Sequence, residues 1–158
     1  MNPFTHINKE GQPGMVDVSE KKVSKRTATA RSIVVLPAAV LDLLANGELH
    51  TKKGAVFQTA IIAGIMAAKK TGELIPLCHP LGLENCTVNI QVNEQQEVVI
   101  HCTASLEAKT GVEMEALVGA SIAALTIYDM CKALSHDIVI RETKLVEKTG
   151  GKSDFKRS

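Results

Sequence analysis

At 158 residues and 45% hydrophobic content, the chain has room for one domain with a buried core and shows no composition break that would divide it. Trp is absent and aromatic residues make up 3%, which argues against base-stacking platforms for single-stranded nucleic acid and against an aromatic ligand cage. The formal net charge of +1 argues against a general nucleic-acid or membrane-surface binder, while 18 basic and 17 acidic side chains can still separate into a local cationic pocket. No apolar leader core opens the chain and no stretch reads as membrane-spanning, so a cytoplasmic protein is expected. Cys78, Cys86, Cys102 and Cys131 form neither a CxxC pair nor a zinc-like spacing and read as reduced, mostly packed thiols.

A single domain over residues 1–158 is expected, with an N-terminal arm over 1–24 and a basic, Gly-containing C-terminal tail over 147–158. The arm is polar and broken by Gly and Pro, and its Lys21 reads as a solvated residue without a functional part. Alternating Thr and β-branched residues predict a first strand from Arg26 to Val35. Pro37 then opens a short helix through Leu44 that Asn46-Gly47 ends, and a second helix is predicted from Gly54 to Lys70, closed by Gly72. Its Ala60, Ala63, Gly64, Ala67 and Ala68 would let another helix approach closely. Two prolines make Thr71–Pro80 an ordered loop. Strands Cys86–Val92 and Val98–Leu106 flank a hairpin turn, a long helix covers Glu113–Lys132, and a last strand runs from His136 to Leu145. The predicted fold class is α+β. Setting one extra helix aside leaves the ferredoxin-like order β-α-β-β-α-β, an antiparallel sheet with helices on one face.

The long helix is Ala-rich and almost uncharged in its middle, so it is expected to be buried on most faces, where a charge is costly unless paired or used. Asp129 and Lys132, three positions apart near its end, share a face and shift each other's pKa. They read either as a structural ion pair at a helix end or as residues prepared for proton transfer. Lys52 and Lys53 precede the predicted helix start at Gly54, which suggests either a phosphate site or a solvated turn. His79 lies in the Pro-pinned loop Leu77-Cys-His-Pro80, and Cys78 beside it reads as packing or substrate contact rather than as a nucleophile. Glu113 and Glu115 flank Met114 at the long helix's N-terminus, ordinary positions for acids. Lys148-Thr-Gly-Gly-Lys-Ser153 reads as a basic, flexible turn able to meet phosphate oxygens, though not as a P-loop. Several lysines, two or three carboxylates and a histidine without a metal triad suit an anionic small molecule and proton transfer on it.

Read as strings, Phe4-Thr-His-Ile-Asn8, Met15-Val-Asp-Val-Ser19, Leu74-Ile-Pro-Leu-Cys-His-Pro80, Lys109-Thr-Gly-Val-Glu-Met-Glu-Ala-Leu117, Ala124-Leu-Thr-Ile-Tyr-Asp-Met-Cys-Lys-Ala133 and Gly150-Gly-Lys-Ser153 resemble the cyclic pyranopterin monophosphate synthase family, molybdenum cofactor biosynthesis protein C. The resemblance runs from residue 4 to about residue 155. It implies a lyase-type conversion of 3',8-cyclo-7,8-dihydroguanosine triphosphate to cyclic pyranopterin monophosphate and diphosphate. Asp129 would be the principal acid/base residue, Lys132 and Lys53 its essential partners. Leu77, Cys78, His79, Met114 and Glu115 would contact substrate, with Glu113 and Lys148 as further pocket residues. No tightly bound cofactor and no protein metal site are implied, and Mg²⁺ would enter only with the substrate phosphates. The resemblance further implies a homohexamer, a trimer of dimers, with pockets between subunits and neither nucleic acid nor membrane as partner. Ile61 and the missing Gly after Ser153 depart from the family pattern. A ferredoxin-like nucleotide-binding regulatory module, which binds without turnover, is the competing reading.

Glu113 and Asp129 are 16 positions apart, so one continuous helix separates them by about 24 Å at about 1.5 Å per residue. One copy could hardly bring both into a compact pocket, and because the resemblance implies pockets between subunits, Glu113 and Met114 of one chain are expected to face Asp129 and Lys132 of a dimer mate.

Overall fold

Five strands and two long helices build the core of the computed structural model, which describes residues 4–158. Strand β1 (Ser24–Val35) leads to a single helical turn, α1 (Ala38–Leu41), and to a small hairpin of β2 (His50–Thr51) and β3 (Gly54–Ala55). Helix α2 (Val56–Lys69) and a further turn, α3 (Thr71–Leu74), precede the hairpin strands β4 (Asn85–Val92) and β5 (Val98–Ala108). Helix α4 (Glu113–Cys131), strand β6 (Val139–Thr149) and the short β7 (Phe155–Lys156) complete the chain. The main sheet is antiparallel in the order β4-β5-β1-β6-β7. Without the small additions, β1-α2-β4-β5-α4-β6 is the ferredoxin-like arrangement expected from the sequence.

Period-two alternation places the core. Val98, Ile100, Cys102, Ala104 and Leu106 of β5 are buried beneath the helices, and the residues between them point to the open face. Helix α4 lies across β1, β5 and β6, and α2 lies beside it over β4. The two helices approach closely because small residues meet: a Cβ on Gly64 would sit 2.8 Å from the Gly119 carbonyl oxygen, and one on Gly119 would sit 2.5 Å from Cys102 Sγ. Gly64 therefore acts as the small-residue pattern of α2 predicts.

Several boundaries differ from expectation for physical reasons. The predicted helix over 54–70 begins two residues later, because Gly54 adopts a φ of 111°, which closes the Lys52-Lys53 turn between β2 and β3. Thr51 Oγ1 accepts the Lys53 N–H at 3.2 Å and tightens that turn. The short helix ends at Leu41, and Leu43 and Leu44 continue in three-residue turns before Asn46 and Gly47 take left-handed backbone. The Thr71–Pro80 loop opens with the helical turn α3. The last strand starts at Val139 and runs to Thr149, so the tail is folded rather than free, with β7 pairing back onto β6. Helix α4 has the length and hydropathy of a membrane span, contrary to the expectation that no stretch reads so, but 56% of it is buried inside the fold as a core helix. The expected arm lacks helix and named strand over residues 4–23, and residues 1–3 of that expectation lie outside the described residues.

Candidate active site

The last turn of α4 and the β2-β3 turn meet at one end of the helical layer. Asp129 Oδ2 lies 2.8 Å from Lys53 Nζ, and Asp129 Oδ1 lies 3.1 Å from Lys132 Nζ. The carboxylate is thus gripped by two ammonium groups, one from its own helix and one from a turn 76 positions away. Hydrogen bonds from Lys53 first and Lys132 second hold its carboxyl below the usual Asp range. The pair is not buried, contrary to expectation: Asp129, Lys53 and Lys132 side chains are 50%, 52% and 58% exposed. Asp129 occupies the outer face of α4, whereas Ile127, Met130 and Cys131 point inward. With Thr51, Lys52, Met130, Ala133 and Leu134 the three residues line a cavity of about 490 Å³ with a largely apolar floor.

The phosphate site suggested at the start of α2 is already filled by protein. Glu48 accepts the N–H groups of Phe57 at 2.8 Å and Gln58 at 3.1 Å, satisfying the helix N-terminus with a carboxylate. Lys53 consequently serves Asp129 rather than that helix end.

At the other end of α4 a different environment forms. Glu115 is 2% exposed, and its Oε2 has no hydrogen-bond partner. Burial pushes its carboxyl above the usual range, the Glu113 carboxylate adds to this, and His79 opposes it. This is the costly buried carboxyl of α4, at a position that the residue pattern gave as an ordinary helix-start acid and the resemblance as a substrate contact. The signal was its place four residues before Gly119 and eight before Ala123, on the inner stripe of the helix. Burial likewise pushes the Cys78 thiol up, with Glu115 and Glu113 acting in the same direction, which agrees with a non-nucleophilic Cys78. His79 Nε2 donates to the Val16 carbonyl at 2.6 Å, tying the pinned loop to the N-terminal arm. Leu77 and Met114 are half-buried beside these residues in the loop and in the first turn of α4.

Glu113 pairs with Lys148 at 3.3 Å and faces a second cavity, of about 520 Å³. Lys21, Lys22, Arg26, Lys148 and Lys152 surround it, so Lys21 sits in a cationic recess and its expected neutrality no longer follows. Gly150 makes this recess possible. Its φ is 92°, and a Cβ there would lie 1.8 Å from the Lys25 carbonyl oxygen, so the β6-β7 turn can fold against β1 only with glycine at that position. Lys22 and Arg26 were not singled out from sequence, and Lys152 was read only within the basic Lys148–Ser153 turn, because the arm, β1 and the tail converge only in the fold. The predicted site residues therefore form two groups: Lys53, Asp129 and Lys132 at one end of α4, and Cys78, His79, Glu113, Glu115 and Lys148 at the other. One chain does not bring the groups together.

Fold and site define a ferredoxin-like α+β protein that presents a paired carboxylate over an apolar floor at one end of a helix and a cationic, acid-lined recess at the other. The family model described as MoaC family matches residues 15–151, and the chain belongs to that family. It is the family that the motif strings resemble. A cyclic pyranopterin monophosphate synthase of Xanthomonas axonopodis pv. citri is 55% identical over 152 residues, covering 96% of this chain and 92% of that protein. A molybdenum cofactor biosynthesis bifunctional protein of Synechocystis sp. is 52% identical over 98% of this chain, and molybdenum cofactor biosynthesis protein 1 of Dictyostelium discoideum is 51% identical over 96%. The chain spans 46% and 27% of those two longer proteins.

Proposed function

We propose that the chain is a cyclic pyranopterin monophosphate synthase acting in molybdenum cofactor biosynthesis. Its reaction converts 3',8-cyclo-7,8-dihydroguanosine triphosphate to cyclic pyranopterin monophosphate with release of diphosphate, a lyase-type step. The observation that carries this reading is the Lys53-Asp129-Lys132 constellation, joined to likeness over 92% of the Xanthomonas synthase. In closing the cyclic phosphate, a substrate hydroxyl attacks the first phosphorus, the bond to the departing diphosphate breaks, and the hydroxyl proton goes to a base. Two lysines suit the phosphate chain and its growing charge. When phosphate oxygens draw Lys53 and Lys132 away, Asp129 loses the partners that hold its proton affinity down and becomes the stronger base. Lys21, Lys22, Arg26, Lys148 and Lys152 supply further cations, and the buried Glu115, with Cys78, His79, Leu77 and Met114, supplies contacts for the ring system.

In this proposal Mg²⁺ enters with the substrate phosphates. Because the two clusters lie at opposite ends of one helix, the complete pocket in this proposal forms between two copies, in a hexamer built of three dimers. A cytoplasmic location belongs to the same proposal. The test is diphosphate release from the cyclised nucleotide by the purified chain. Multiple turnover supports the synthase, and stoichiometric binding without release would replace it with a regulatory module.

A further inference from the structure

Two cysteines outside both clusters face each other across the sheet edge. In the β4-β5 pairing Cys86 stands opposite Ala104 and Val88 opposite Cys102, so the two cysteines are diagonal neighbours on adjacent strands. Their sulfurs are 3.8 Å apart. Strand β4 is the outermost strand of the sheet, and Cys86 is only half-buried there, whereas Cys102 is fully buried against Gly119 of α4. We infer that Cys86 and Cys102 form a peroxide-responsive dithiol that closes to an intramolecular disulfide between β4 and β5.

The surroundings assign the roles. A hydrogen bond from Cys102 lowers the Cys86 pKa against the effect of burial, and the Lys69 ammonium acts in the same direction. The same contact, then burial, pushes the Cys102 thiol up. Cys86, half-buried on the outermost strand and open to small oxidants, is the attacking thiol, and Cys102, fully buried behind it, is the resolving thiol. Cys86 attacks one oxygen of hydrogen peroxide, the O–O bond breaks, and a sulfenic acid and hydroxide result, with the hydroxide taking up the thiol's proton as water. Cys102 sulfur then attacks Cys86 sulfur, the S–O bond breaks, and the Cys102 proton leaves with the hydroxyl as a second water. Both thiols are oxidised and one peroxide is reduced. Closing the gap from 3.8 Å to the roughly 2 Å of a disulfide draws Cys102 off Gly119 and ties the edge strand to its neighbour beneath α2 and α4. Both cysteines lie outside the two clusters of the proposed site, so the dithiol is independent of the proposed activity.

The test is a crosslink map of the full chain. Reduced protein is treated with hydrogen peroxide, alkylated under denaturing conditions, digested without reductant and read by mass spectrometry. The expected result is a Cys86–Cys102 linked peptide pair that dithiothreitol abolishes, with Cys78 and Cys131 alkylated. Cys86→Ser should abolish the link while Cys102 stays alkylatable. In Cys102→Ser a sulfenic acid on Cys86 should be trapped by dimedone, and because Cys102 is buried the wild-type map decides if this variant misfolds. Oxidation confined to Cys78, a link between chains, or full alkylation of Cys86 and Cys102 at peroxide levels that oxidise a free cysteine control would overturn the inference.

Discussion

The two ends of α4 treat a carboxyl group in opposite ways. At the C-terminal end Asp129 is half-exposed, held by two ammonium groups and kept ionised. Fourteen positions earlier on the same helix, about 21 Å along its axis at about 1.5 Å per residue, Glu115 is buried with an unpartnered oxygen and biased toward its protonated form. One helix thus carries a charge-stabilised carboxylate and a desolvated carboxyl, the pairing of environments that separates acid from base roles in enzymes that act on one substrate. The two carboxyl groups stand at opposite ends of the helix, so one copy of the chain does not bring them together.

The largest break in this comparison is Asp129→Asn, which removes the ionisable group with little change in volume. Turnover should fall by about 10²-fold or more, the usual contribution of a general base, while circular dichroism and oligomer size stay unchanged. Steady-state diphosphate release is the measurement, and activity within about tenfold of wild type would take Asp129 out of the chemistry. Lys53→Ala should lower kcat/KM by roughly ten- to a hundredfold, the range of a lost hydrogen bond to a charged group. Lys53→Arg should recover only part of this, because a planar guanidinium presents its donors differently from an ammonium. Equal kinetics in both variants and wild type would make Lys53 a solvated turn residue.

The smallest effect sharpens the other end. The raised carboxyl of Glu115 binds its proton more tightly folded than unfolded, so its contribution to stability is full below the unfolded carboxyl range and is lost as pH rises through the folded value. Glu115→Gln should therefore leave Tm unchanged in acid and raise it by roughly 2–4 °C at neutral pH, about 1 kcal/mol at this chain length. Calorimetry across pH reads this directly. A Tm difference independent of pH would mean that packing, not ionisation, sets the Glu115 environment.

Much of this arrangement was legible in the sequence because it is local. The alternation in β1 and β5, the small residues of α2 and the apolar run of α4 each write their period into the chain, and the ferredoxin-like order follows from them. Asp129 and Lys132 were visible as neighbours because three helical positions place them on one face. The β2-β3 hairpin was hidden, since strands of two residues carry no period and Gly54 reads equally as a helix start or as a left-handed turn residue. That one ambiguity moved Lys53 from a helix N-terminus to Asp129 and concealed Glu48 as the residue that caps α2. The cationic recess was illegible for another reason: Lys21, Arg26 and Lys152 come together only when the β6-β7 turn folds against β1 at Gly150.

The central claim, that the two ends of α4 meet as one pocket across two chains, is tested most directly by complementation. Glu113→Gln and Asp129→Asn chains, each expected to be inactive alone, are unfolded together in equal amounts and reassembled. Half of the dimers should be hybrid, each with one pocket carrying both lesions and one carrying neither, so about a quarter of wild-type diphosphate release should return. Hybrids verified by native mass spectrometry that are no more active than either parent would contradict a site shared between subunits.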